Sequence, residues 1–192
     1  MRSTETTSIT RGFLTPRCRK SHMDTSSLCA VGIASAACVT DVRARRIPNA
    51  LTFGATAAAL VFHAVAPAGH GLTSVVAGWF VGAALMFPPF ALRGLGAGDV
   101  KLVAALGAWL GPQNALWLVV YAMIAGGVLS LVVAAFHGYL KQALANIWLL
   151  LQHWTVVGLR PLDSISLEGS NGPRLAYALP IFAGVLLNIW LR

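Results

Sequence analysis

Residues 113–136 read QNALWLVVYAMIAGGVLSLVVAAF, a run without a single charged side chain. A helix rises about 1.5 Å per residue, so about 20 apolar residues cross the roughly 30 Å hydrocarbon core of a bilayer. Further apolar segments occupy residues 27–40, 50–67, 72–92, 99–111 and 175–191. The pattern predicts an all-α, polytopic membrane protein with about six transmembrane helices.

Composition supports a membrane location. Hydrophobic residues make up 57% of the chain and charged residues only 10%, with a mean hydropathy of +0.72. A soluble protein of this size needs more polar residues to cover its surface. The net charge of +8 lies in short clusters between apolar runs and not on one basic helix, which argues against nucleic-acid binding.

Two segments differ from the apolar runs. Residues 1–26 are polar, basic and rich in Ser and Thr, which predicts a disordered N-terminal tail before a membrane domain at 27–192. Residues 139–159 place apolar side chains at helical spacing with polar ones among them, which predicts an interfacial amphipathic helix. A seventh span is the alternative there. A polar loop is predicted at 160–174.

Orientation follows from the loop cations. Three polar stretches carry all of them, namely Arg43, Arg45 and Arg46, then Arg93 and Lys101, then Lys141, Arg160 and Arg174. The intervening loops near 66–71 and 111–113 carry none. The positive-inside rule therefore predicts that the three basic stretches face the cytoplasm, with the chain in the inner (cytoplasmic) membrane. Five basic residues in the tail conflict with this orientation; either Met23 is the native start, or Leu28–Ala37 belongs to a cleaved signal peptide.

Asp41 and Asp99 are the only acidic residues between Asp24 and Asp163. A carboxylate near hydrocarbon costs several kcal/mol unless it is paired, hydrated or protonated. Counted from the outer ends of their segments, the two lie about 21 Å and 18 Å deep, which is similar enough for a shared site. Such a pair predicts proton chemistry, and specifically a membrane aspartic endopeptidase that activates water.

Structural interpretations remain open for each residue. Asp99 has the position of a helix N-cap, and Asp41 has Arg45 one turn away as an ion-pair partner. The glycines at 94, 96 and 98 are also compatible with close helix packing.

The same residues carry a family resemblance. DVRARRIPN, from Asp41 to Asn49, resembles the first aspartate motif of type IV prepilin peptidases, and GAGDVK, from Gly96 to Lys101, resembles their G-x-G-D-x-K motif. The second motif is shared in part by presenilin-type proteases. AYALP at 176–180 is loosely similar to a Pro-Tyr segment of the last span, with Ala176 in place of the proline.

The resemblance implies that Asp41 and Asp99 are the catalytic pair. It implies motif or backbone support from Pro48, Asn49, Gly96, Gly98, Lys101, Tyr177 and Pro180. The implied substrate is a prepilin-like precursor with a short basic leader. The chain lacks the four-cysteine insert of the larger, methylating branch, so it is closer to the small peptidases of tight-adherence (Flp-type) pili or to archaeal preflagellin peptidases.

Neither a metal nor another cofactor is predicted, because the three cysteines and five histidines lack ligand spacing. The expected partners are the prepilin-like protein and the lipid bilayer, and the sequence carries no signal for an oligomeric state. Two other classes compete with the peptidase. One is a proton- or ion-coupled transporter, and the other is a noncatalytic subunit of a secretion assembly.

Overall fold

The computed structural model describes residues 24–65, 71–92, 94–138, 140–141, 144–145, 148–149, 152 and 177–191. Six helices have defined bounds: α1 Thr25–Ala44, α2 Asn49–Val65, α3 Leu72–Ala91, α4 Ala97–Leu110, α5 Pro112–Phe136 and α6 Ala178–Trp190. No strand occurs among the described residues. The predicted all-α class is therefore confirmed.

Three of these helices, α1, α3 and α5, are long and apolar enough to cross a membrane. The apolar helices α2 and α6 have 17 and 13 residues, and α4 has 14. At 1.5 Å per residue, α4 is about 21 Å long, shorter than a hydrocarbon core. The six-span count therefore stays a prediction.

Helix α4 is the centre of the bundle. Every residue from Leu102 to Leu110 is buried, and α1, α2, α3 and α5 all pack against this helix. The Trp109 indole N–H donates to the carbonyl oxygen of Ala55 in α2 at 2.9 Å, which ties these two helices together. A helix that is apolar on all faces belongs in such a core.

Glycines bring α3 and α4 into direct backbone contact. A Cβ atom on Gly78 would collide with the carbonyl group of Gly107, and one on Gly107 would collide with that of Gly78. One turn further along α3, a Cβ on Gly82 would lie 2.8 Å from the Val103 carbonyl oxygen. Small residues permit this close approach of two helices in a membrane.

Helix α6 packs against α5 and α1. Near its C-terminal end, the Asn188 side-chain amide donates to the carbonyl oxygen of Asn114 at 2.8 Å. Its N-terminal end lies beside Asp41, because the Ala178 N–H donates to that carboxylate. The last helix therefore returns the chain to the end of the first.

Several predictions fall on residues outside the described part of the chain. They concern the tail up to residue 23, the loop at 160–174 and most of the amphipathic helix at 139–159. Of that last segment, residues 140–141, 144–145, 148–149 and 152 are described, and each is helical.

Candidate active site

Asp41 lies in the last turn of α1 and is 9% exposed. Its Oδ2 atom accepts a hydrogen bond from the Ala178 backbone N–H at 3.2 Å. The first four N–H groups of a helix lack acceptors within the helix, so the N–H groups at the start of α6 are available to bind the carboxylate. The positive end of the helix dipole also favours a negative charge at this position.

The polypeptide leaves α1 directly after Asp41. Arg45 adopts a left-handed conformation, with φ 51° and ψ 31°, and its N–H bonds to the Asp41 carbonyl oxygen at 2.8 Å. Pro48 then precedes α2, and its carbonyl oxygen accepts the N–H of Leu51 at 3.1 Å. The first helix thus ends at Ala44, beyond the predicted segment end at residue 40 and before the proline.

Asp99 is the third residue of α4 and is 8% exposed. Its Oδ2 atom accepts the Gly96 N–H at 3.2 Å, and its own N–H donates to the Gly96 carbonyl oxygen at 3.1 Å. Gly96 is the N-cap residue of α4, so the interpretation of Asp99 as the N-cap is wrong; Asp99 is the third helical residue, and its side chain reaches back to the N-cap N–H, as in a capping box. Among the described residues this contact uses only the Oδ2 atom of its carboxylate.

The fold brings the two carboxylates together. Helices α1 and α4 pack against each other, and Asp41 and Asp99 are close enough to interact electrostatically. Each is held through Oδ2 by one backbone N–H. The other interpretation of Asp41, an ion pair with Arg45, is wrong for the described residues, because the Asp41 side chain bonds to α6 instead.

The two motifs of the sequence touch at two further points. The Lys101 Nζ atom donates to the Asn49 side-chain oxygen at 3.0 Å. A Cβ on Gly98 would lie 3.3 Å from the Ile47 Cβ, so the glycine gives that side chain room against α4. These contacts join the segment after Asp41 to the first turns of the helix that carries Asp99.

The Asp99 carboxylate leaves little room for a side chain at Gly96. A Cβ there would lie 3.2 Å from Asp99 Oδ2, which is tighter than an ordinary contact. Both glycines of the G-x-G-D string therefore serve local packing around the carboxylate or its helix.

Tyr177 and Pro180 lie at the start of α6. Tyr177 directly precedes the helix, its ring contacts Gly126 of α5, and it is close enough to Asp99 to interact electrostatically. Pro180 is buried in the first turn, where a missing N–H breaks no helical hydrogen bond. The structure thus places Tyr177 near Asp99, and Pro180 in the same helical turn as Ala178, whose N–H bonds to Asp41.

Three parts of this site were absent from the sequence-based prediction: the Ala178 N–H, Gly126 and Phe53. A backbone donor has no signature in sequence. Gly126 has a weak one, since Gly126-Gly127 interrupts an apolar helix. The Phe53 ring lies 5.4 Å from Lys101 Nζ, in cation–π contact. In the described parts of the chain, no group of three His, Cys, Asp or Glu side chains is placed to hold a metal ion.

The fold and the site define a class of protein: an all-helical, apolar bundle that carries two neighbouring buried carboxylates. A comparison with protein-family models matches residues 28–131, just over half of the chain, to the type IV leader peptidase family. The chain belongs to that family, so it is a leader-peptidase-like membrane protease. Searches of curated proteins and of solved structures give no match. The resemblance to prepilin peptidases is thereby confirmed, while the tight-adherence branch stays a prediction.

Proposed function

We propose that this chain is a membrane aspartic endopeptidase that removes the short basic leader from prepilin-like precursors, with Asp41 and Asp99 as the catalytic pair. The observation that carries the proposal is that both acids are buried, on two helices that pack against each other, and are close enough to interact electrostatically. They are the only acidic residues of a long apolar stretch. Membership in the family supports the protease chemistry.

The pair has the chemistry that such a reaction requires. Two carboxylates that interact cannot both ionise easily, so we assign the pair one shared proton. The ionised member then removes a proton from water as that water attacks the scissile carbonyl carbon, and the protonated member polarises the carbonyl oxygen. In each acid Oδ2 holds a backbone N–H, and Oδ1 has no hydrogen-bond partner among the described residues. The Oδ1 atoms are therefore the ones that we assign to water and substrate.

The proposed location is the inner membrane, with six spans and the active site towards the cytoplasm. Support comes from the basic residues that follow Asp41, of which Arg43, Arg45 and Arg46 are all exposed. Basic residues near span ends are retained in the cytoplasm. A leader that is cut there leaves its precursor's apolar helix in the bilayer.

The test is co-expression of the full chain with a Flp-type prepilin, followed by measurement of leader loss. Asp41→Asn and Asp99→Asn should each lower cleavage by about 10²–10⁴-fold, since each removes one acid–base group. Asparagine is the right replacement because its side-chain oxygen still accepts the N–H of Ala178 or Gly96. Membrane insertion and thermal stability in detergent should therefore be retained.

Asp24→Asn is the matched control, because Asp24 is exposed and lies just before the other end of α1. It should cleave like the wild type. Cleavage that survives either active-site substitution would exclude the two-acid mechanism. A folded wild-type chain that leaves the leader intact points to a noncatalytic subunit, and proton or ion flux in liposomes points to a transporter.

A further inference from the structure

The start of α6 is held in place by a contact with the middle of α5. The Tyr177 ring lies directly against Gly126: a Cβ there would be 2.9 Å from both Cε2 and Oη of the ring and 3.1 Å from Cζ. Real Cβ atoms do not approach other atoms so closely. Any side chain at position 126 would therefore displace the tyrosine.

This requirement is specific to one glycine. Gly127, the next residue of α5, is exposed, and a Cβ there would meet nothing within 4 Å. Helix propensity disfavours both glycines equally. Packing against Tyr177 explains why position 126 is a glycine. Gly127 lacks that contact and therefore serves as the control position.

A second close contact fixes the same helix pair. A Cβ on Gly184 of α6 would lie 2.9 Å from the backbone nitrogen of Ala122 in α5. Ala122 is one turn from Gly126 on α5, and Gly184 is about two turns from Tyr177. Two contacts separated along both helices define the depth and the rotation of α6.

The depth and the rotation of α6 determine where its first backbone N–H points. Ala178 follows Tyr177 directly, and its N–H donates to Asp41 Oδ2 at 3.2 Å. A displacement of the tyrosine would move this donor, since one peptide unit separates the two residues.

We propose that Gly126 and Tyr177 are positioning residues of the active site: their contact places the first turn of α6 so that the Ala178 N–H bonds to Asp41. The catalytic consequence rests on the function proposed above. The placement itself is a property of the fold. It predicts that a residue on α5, on a helix that carries neither aspartate, controls the environment of one of them.

The first experiment measures hydrogen exchange at the Ala178 amide in the full chain in detergent, localised by fragmentation mass spectrometry. Gly126→Ala should speed exchange by about tenfold or more, the change expected when a hydrogen bond to a charged acceptor is lost. Gly127→Ala should leave the rate unchanged. Asp41→Ala removes the acceptor and gives the rate for a lost bond. Equal rates in Gly126→Ala and the wild type would overturn the proposal.

The second experiment measures cleavage as a function of pH. Gly126→Ala should lower kcat and move the acid limb of the profile to higher pH, because an N–H donor no longer stabilises the ionised form of the pair. A purely structural defect would lower the amount of active protein and leave the profile where it is. Gly127→Ala should match the wild type in both respects.

A double-mutant cycle separates the contact from other effects of the alanine. In a Tyr177→Ala background there is no ring to displace, so Gly126→Ala should cause no further loss. Additive losses would contradict the proposed contact. If Gly126→Ala fails to fold, Tyr177→Phe and Tyr177→Leu give the same test: the first keeps the ring and should retain slow exchange, and the second should not.

Failure of this proposal can be told apart from failure of the proposed function. Amide exchange does not require cleavage. A chain that cleaves no prepilin but shows the predicted exchange pattern would therefore support the positioning contact and contradict the proposed peptidase function. A chain that cleaves prepilin, with identical exchange in all variants, would support the peptidase function and contradict the positioning contact.

Discussion

Lys101 and Asn49 join the two sequence motifs through one hydrogen bond of 3.0 Å, from the lysine Nζ atom to the asparagine side-chain oxygen. Asn49 begins α2, and Lys101 lies two residues after Asp99 in α4. The lysine also lies over the Phe53 ring, 5.4 Å from its centre. One side chain therefore connects the first turns of two helices beside the site.

We expect Lys101→Met to lower the free energy of unfolding by about 0.5–1 kcal/mol, since a partly exposed hydrogen bond to a cation contributes little more than that. Methionine keeps much of the contact with the Phe53 ring and loses the charge. The measurement is thermal unfolding in detergent. In a double-mutant cycle, Asn49→Ala should cost much less in the Lys101→Met background, and strictly additive costs would show that the bond does not form.

Gly96→Ala should affect chemistry more than stability. The backbone of Gly96 is extended, with φ −78° and ψ 149°, so alanine is allowed there. Its Cβ would lie 3.2 Å from Asp99 Oδ2 and push the carboxylate aside. With Asp99 in the proposed catalytic pair, such a displacement costs about tenfold to a hundredfold in rate, so kcat should fall in that range with little change in unfolding temperature.

Gly94→Ala is the comparison for this variant, because the Cβ there would meet the Pro89 carbonyl oxygen at 3.3 Å and not the aspartate. It should lower stability slightly and leave kcat per folded molecule near the wild-type value. A Gly96→Ala protein with wild-type kcat would show that the crowding is relieved without moving Asp99.

The sequence predicted the parts of this molecule that depend on composition and local pattern. Long apolar runs identified the described helices, and the isolation of Asp41 and Asp99 drew attention to two carboxyl groups that lie on α1 and α4, helices that pack against each other. Boundaries were less well predicted. The end of α1 depends on the left-handed conformation of one arginine, which no sequence pattern requires.

Contacts between distant parts of the chain could not be predicted. The bond from Ala178 to Asp41 joins residues 137 positions apart and uses a backbone donor that every residue except proline possesses. The roles of Gly78 and Gly107 likewise depend on which helix faces which. A single sequence carries no covariation from which to infer that.

Gly78→Ala and Gly107→Ala should each destabilise the bundle, because the new methyl group collides with backbone of the facing helix, which cannot rotate away. Overpacking of this kind costs about 1–3 kcal/mol, measured as thermal unfolding in detergent. Gly54→Ala in α2 is the control, since a Cβ there has open space. It should be neutral or stabilise by up to about 1 kcal/mol through helix propensity. Equal behaviour of all three variants would mean that α3 and α4 are not in backbone contact.

Arg45 is the one described residue other than glycine with a positive φ, and it ends the helix that carries Asp41. A left-handed conformation costs an L-residue about 1–2 kcal/mol, and glycine avoids this cost while losing some entropy on folding. Arg45→Gly should therefore raise the free energy of unfolding by up to about 1 kcal/mol. Arg45→Val should lower the free energy of unfolding, because a branched Cβ fits this conformation worst.

Arg46→Gly is the control that separates the effect of backbone conformation from the effect of charge. Arg46 has no positive φ, so glycine there removes a cation without relieving strain and should destabilise slightly. If Arg45→Gly and Arg46→Gly change the unfolding temperature alike, the gain at position 45 comes from loss of charge, and the left-handed turn after Asp41 is not what limits stability.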